Sequence, residues 1–168
     1  MFVAFDIAAA FPSLGHDWLW AVLARTGLPQ GYLTFIESRY FGPRGFASVQ
    51  GSKQFLFYLQ SGVMQGCPLS GSVWALAMDP ILRRLVEQSA DPSLGDWRGE
   101  VGGCADDTGI AQPRLQDLVR VFPVFKDAEE LAMLRLQTAK TVIVPLWAEL
   151  TDSAVSRTRG FLQQYIPE

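Results

Sequence analysis

Residues 101–110 read VGGCADDTGI, with the adjacent pair Asp106 and Asp107 set between apolar stretches. A glycine pair and a small thiol residue lead into two like charges, and an apolar run follows. This pattern predicts a hairpin, with one strand near 100–104, a turn at the aspartates, and a return strand near 108–111. Two carboxylates in a tight, half-buried turn repel each other and lose hydration. Two readings meet that cost. Either a divalent cation is held there, or the turn is solvated, since Asp tolerates turn conformations and bonds local amides.

Upstream, Met1–Asp6 is a short apolar run ending in a charge, which reads as a buried strand with an acid at its C-terminal end. Trp18, Leu19, Val22 and Leu23 recur at helical spacing within 16–26, and Gly27 with Pro29 stops that helix. A second helix is expected over 30–41, ended by Gly42 and Pro43. Phe46–Val49 and Gln54–Leu59 form a β-hairpin joined by QGSK. Residues 62–67 form a loop, and a long helix follows from Pro68, with Pro80 marking a kink. Residues 91–99 read as a loop, 114–136 as a helix interrupted by Pro123, Thr141–Leu146 as a strand, and 149–165 as a partial helix. The order predicts an α+β fold, a largely antiparallel sheet with helices packed on one face.

The totals narrow the class. The 168 residues suit one domain, 49% of them are apolar, and the mean hydropathy is +0.14, so the chain is globular in composition. A net charge of -3 and a pI near 5.2 argue against strong autonomous binding of nucleic acid through its phosphates. Cys67 and Cys104 stand far apart and His16 is the single histidine, which excludes a structural zinc site and a disulfide framework. Both cysteines read as small buried residues, and His16 as a capping or surface residue. The expected setting is intracellular, in the nucleus or cytoplasm, not secreted, with no membrane partner: no apolar run approaches the roughly 20 residues a bilayer span needs. The opening MFVAFDI already lies inside an expected strand, so the chain is expected to be cut from something longer.

If the strand ending at Asp6 neighbours the 100–111 hairpin, Asp6, Asp106 and Asp107 converge at one edge of the sheet. Carboxylates are hard oxygen ligands suited to Mg²⁺, which keeps several waters and accepts substrate phosphates. Two such ions about 4 Å apart can activate an attacking hydroxyl and stabilise a leaving oxygen.

Four stretches taken together resemble the palm of reverse transcriptases, in particular those of non-LTR retrotransposons. FDIAAAF (5–11) looks like the first palm motif, an aspartate followed five residues later by an aromatic. SGVMQGCPLSGSVWALAMDPILRRL (61–85) is similar to the second, CADDT (104–108) to the third, and LRLQTAKT (134–141) more faintly to the fourth. The resemblance implies a polymerase palm over 1–146, with fingers missing ahead of it, and over 147–168 a partial helix leading toward an absent thumb.

What it implies for chemistry is specific. Asp6 and Asp106 would hold two Mg²⁺ ions (Mn²⁺ as substitute), with the Ile7 carbonyl as a further ligand and Asp107 supporting the site. Phe11 would be a steric gate against a ribose 2′-hydroxyl, and Gln65 and Gly66 would line the pocket for the incoming nucleotide. Lys140 would protonate the departing pyrophosphate. The reaction would join a dNTP to the 3′-hydroxyl of a DNA primer on an RNA template, with the isolated chain inactive. Beside each role stands a plainer one: Phe11 as core, Gln65 and Gly66 as loop punctuation, Lys140 as a solvated charge. Arg83 and Arg84 read either as contacts to a phosphate backbone or as a solvated helix face.

Four departures from the family pattern stand out. Cys104 replaces an aromatic, which bears on primer positioning; Pro12 stands where an acidic residue is frequent and Gly71 where proline is frequent; and Met133 with Leu134 replaces a glycine-containing approach to the fourth motif, which bears on the strand register there. Two alternatives remain: a non-catalytic palm remnant, or a related palm-fold RNA polymerase or nucleotidyl cyclase.

Overall fold

The computed structural model describes residues 1–90, 99–146, 149 and 151–166. The main sheet is built from β1 (Phe2–Asp6), β4 (Glu100–Cys104), β5 (Asp107–Ala111) and β6 (Val142–Val144). Its order is β4-β5-β1-β6, antiparallel at each described pairing. Register assigns the two faces. Val3 pairs with Ile110 and with Ile143, and Phe5 with Thr108, all on the covered face. Phe2, Ala4 and Asp6 alternate to the other face, together with Asp107 and Gly109. On that open face the Phe2 ring lies over Gly109, where a Cβ would come within 2.9 Å of it.

The covered face carries the core. α4 (Ser70–Ser89) and α5 (Leu118–Ala132) pack there, with Leu82 of α4 against Gly103 and Phe125 of α5 against Phe5 at 4.5 Å between ring centroids. α2 (His16–Leu23) lies against both helices, and Trp18 Nε1 donates to the Ala77 carbonyl at 2.9 Å. α3 (Gln30–Tyr40) buries Ile36 and Tyr40. α6 (Asp152–Tyr165) begins at a Thr151 cap, whose hydroxyl accepts from Ala154 N at 3.2 Å. Among the described residues, no helix is long and apolar enough to cross a membrane.

One local expectation changes and one element is added. α1 (Ala10–Ser13), a single turn after β1, has too few residues to show a period. α5 runs without a break through Pro123, while α4 is the expected long helix with Pro80 inside it. A proline inside a helix removes one hydrogen bond. In α5 the buried row Leu118, Val121, Val124, Phe125, Ala128 and Ala132 outweighs that loss. The loop expected over 91–99 lies, except for Gly99, outside the described residues.

β2 (Arg44–Val49) and β3 (Ser52–Tyr58) form a separate two-stranded hairpin. Its turn is shorter than the expected QGSK: Gln50 and Gly51, at φ 50° and 82°, make the two-residue connection that matches strand twist, so Ser52 and Lys53 join β3. Every residue of β3 is exposed, including Phe55, Leu56, Phe57 and Tyr58.

Candidate active site

β1 and β5 place Asp6 and Asp107 directly opposite one another, on the open face of the sheet. Cβ atoms at such positions lie about 5 Å apart, and like charges there oppose pairing. Cys104 pairs with Asp107 from the other side, so Cys104, Asp107 and Asp6 form a row across three strands. The turn between β4 and β5 consists of Ala105 and Asp106, and Ala105 sits in the left-handed region at φ 53°. That conformation costs an L-residue about 1–2 kcal/mol, so something must hold it.

The holding contact is Trp74. Its side chain is 4% exposed on α4, and its Nε1 donates to the Ala105 carbonyl at 2.7 Å. Its ring also stacks on Phe11, with centroids 4.7 Å apart and planes 15° from parallel. The sequence reading passed over Trp74. A tryptophan at helical spacing signals only core, and no period shows that its N–H faces a turn thirty residues on.

The fourth motif arrives beside Asp6 through backbone bonds. Gln137 N donates to the Asp6 carbonyl at 2.8 Å, Ala8 N donates to the Arg135 carbonyl at 2.8 Å, and Ile7 bridges to Leu136. A 3₁₀ turn over Thr138–Lys140 follows, and Lys140 Nζ stands 3.3 Å from Asp6 Oδ2. The contact lacks hydrogen-bond geometry, and Asp6 Oδ2 is a buried oxygen with no hydrogen-bond partner. A helix cap at Met133 sets the approach to the fourth motif. Met133 takes φ 61°, and Leu134 N reaches back to the Ala128 carbonyl at 3.1 Å.

The 61–67 loop is tied to the segment after β1. Val63 N donates to the Phe11 carbonyl at 2.7 Å and Gly62 N to the Leu14 carbonyl at 2.8 Å. Gly62 has φ 91°, and a Cβ on it would stand 2.8 Å from the Pro12 carbonyl oxygen. From this anchor the loop presents Gln65 and Gly66 to solvent, and Gly66 has φ 81°. Tyr40 and Ser70 meet beneath it through their hydroxyls at 3.1 Å, and Ser70 Oγ also donates to the Met64 carbonyl.

Several sequence expectations are corrected here. His16 is 7% exposed, and its Nε2 lies 2.9 Å from the Gly62 carbonyl, so it fastens the loop and is not a surface residue. Cys104 is exposed, because it ends a strand at the edge of the sheet, whereas Cys67 is half-buried. The reading of Arg83 and Arg84 as a solvated helix face stands: both lie on the exposed side of α4 and pair with Asp79 at 2.7 Å and Glu87 at 2.9 Å.

The donor set can be tested for a divalent ion. Among the described residues, no three His, Cys, Asp or Glu side chains are gathered closely enough to ligate one ion. What forms is the cross-strand pair Asp6 and Asp107, with Asp106 one residue further in the turn. Two hard oxygen donors, one with a buried oxygen that accepts no hydrogen bond, suit an ion held by one or two carboxylates and completed by water and phosphates.

Residues 1–159 match the family described as reverse transcriptase (RNA-dependent DNA polymerase). The chain is 34% identical over 80 residues to the Pol polyprotein of a type-2 retrotransposable element of Drosophila melanogaster, covering 48% of this chain and 8% of that protein. It is 27% identical over 161 residues to the Pol polyprotein of a type-1 retrotransposable element of Bradysia coprophila, covering 94% of this chain and 18% of that protein. The chain thus spans less than a fifth of either relative. Among solved structures, apo telomerase from Candida tropicalis superimposes with a TM-score of 0.68 at 12% identity, over 89% of this chain and 31% of that one. That likeness shows the same fold. With the match over residues 1–159, the chain belongs to the reverse transcriptase family, a family that uses divalent metals, and it is similar to part of two retrotransposon Pol polyproteins.

Proposed function

We propose that this chain is the palm of an RNA-directed DNA polymerase, and that it holds the divalent ions and the incoming dNTP while a primer 3′-hydroxyl attacks on an RNA template. The observation that carries the reading is the register of β1 and β5, which sets Asp6 against Asp107 on the uncovered face beside the Asp106 turn. Asp6, Asp106 and Asp107 would hold two Mg²⁺ ions, with Mn²⁺ as substitute and the Ile7 carbonyl as an added donor. Ions bound there would neutralise the triphosphate and favour the alkoxide form of the primer hydroxyl.

The chain's own groups do the rest. Phe11, locked by its stack on Trp74, would fill the space of a 2′-hydroxyl and so favour deoxynucleotides. Gln65 and Gly66 stand exposed on a loop fixed to Phe11, which would place them against the incoming nucleotide. The primer oxygen forms a bond to the α-phosphorus as the bond to pyrophosphate breaks. Lys140, 65% exposed, would leave Asp6 and give the departing group a proton. Holding the reactants in line supplies several kcal/mol of such a barrier. The palm covers 1–146, α6 leads toward a thumb, and fingers and thumb from a longer polypeptide complete the template and primer grip. Its substrates place it in the nucleus or cytoplasm.

A second reading, a palm remnant that does no chemistry, draws on the Lys140 contact with Asp6 and on Cys104 in place of an aromatic. Mn²⁺ titration of the 168-residue chain, followed by electron paramagnetic resonance, separates the two. Saturable binding that Asp6→Asn and Asp107→Asn each weaken supports the polymerase palm. Wild-type protein that folds and binds no Mn²⁺ supports the remnant.

A further inference from the structure

Trp74 touches both Phe11 and the turn of the aspartates. Its indole N–H bonds the Ala105 carbonyl at 2.7 Å, and its ring stacks on Phe11 at 4.7 Å. Ala105 holds a left-handed conformation although it is not glycine, so the turn has a lower-energy alternative available once the clamp is released. That alternative would re-aim Asp106 and shift Asp107 against Asp6. Phenylalanine would stack on Phe11 equally well, so only the N–H distinguishes tryptophan at this position.

We propose that Trp74 is a positioning residue whose indole N–H holds the Ala105-Asp106 turn in its metal-binding shape and so sets the divalent-ion affinity of the Asp6 and Asp107 pair. The proposal rests on the reading that these carboxylates bind ions. A group that orients metal ligands from behind typically changes affinity 10- to 100-fold when removed. The burial of Trp74, at 4% exposure, keeps water from substituting for the lost donor.

The test is Mn²⁺ binding by the intact 168-residue chain carrying Trp74→Phe, with far-ultraviolet circular dichroism as the control for folding. Trp74→Phe is expected to weaken binding by about tenfold or more while the helix content stays unchanged. Adding Ala105→Gly is expected to restore much of that loss, because glycine adopts the left-handed turn without a clamp. A merely structural role for Trp74 would give no such rescue. If Trp74→Phe does not fold, the benzothiophene analogue of tryptophan at position 74 removes the N–H while keeping the shape, and the same tenfold loss is expected. Unchanged Mn²⁺ affinity in a folded Trp74→Phe or analogue protein overturns the proposal. Wild-type protein that binds no Mn²⁺ overturns the reading beneath it instead.

Discussion

Lys140 Nζ stands 3.3 Å from Asp6 Oδ2, so a cation of the chain itself rests on the carboxylate that a metal would use. The lysine side chain is 65% exposed, and an ion pair of that kind contributes at most about 1 kcal/mol. Lys140→Met should therefore raise Mn²⁺ affinity by up to about fivefold, and the gain should shrink as salt screens the lysine in the wild type. Titration at low and high ionic strength checks both.

Gly62 and Gly66 both hold positive φ in the same loop, yet they should respond differently to a methyl group. At Gly66 nothing lies within 4 Å of an added Cβ, so Gly66→Ala carries backbone strain alone, about 1 kcal/mol. At Gly62 the Cβ would also meet the Pro12 carbonyl oxygen at 2.8 Å, and backbone cannot step aside as a flexible side chain does. Gly62→Ala should cost about 3 kcal/mol or more, and denaturant unfolding of the pair reads the difference.

Met133 occupies a helix-end position at φ 61° where glycine is the ordinary residue. Met133→Gly should stabilise the chain by up to about 1 kcal/mol, less what is lost where the Met133 side chain meets Gly15. A higher urea midpoint at unchanged slope is the expected result.

Cys104 is exposed, so Cys104→Tyr should leave stability within about 0.5 kcal/mol. In a polypeptide that extends primers, it should lower the KM for primer-template and leave kcat nearly unchanged. Steady-state primer extension measures the split. A fall in kcat and kcat/KM together would show that the ring disturbs the Asp107 it faces.

The pairing of β4 with β5, the helix after Pro68 and the strand that ends at Asp6 are legible because each rests on a local signal: alternation, a helical row, or a charge closing an apolar run. What escaped depends on contacts made across the fold. His16 reads as a cap until the Gly62 carbonyl is placed beside it. Pro123 reads as a break until the buried row from Leu118 to Ala132 is seen to carry the helix past it. The three acids converge in the sequence only on the condition that β1 neighbours the hairpin; antiparallel pairing then selects Asp107 to face Asp6 and leaves Asp106 in the turn. Trp74 acts through an N–H, a property that hydrophobic periodicity cannot register.

The β2–β3 hairpin carries a consequence for handling the molecule. Each of its strands has one edge that pairs with no other strand among the described residues, and β3 offers Phe55, Leu56, Phe57 and Tyr58 in succession to solvent. Unpaired backbone beside consecutive apolar side chains is a template for strand addition between copies. Light scattering from concentrated stocks should therefore grow with time, and a lysine in place of Leu56 should suppress that growth while leaving the acid pair untouched.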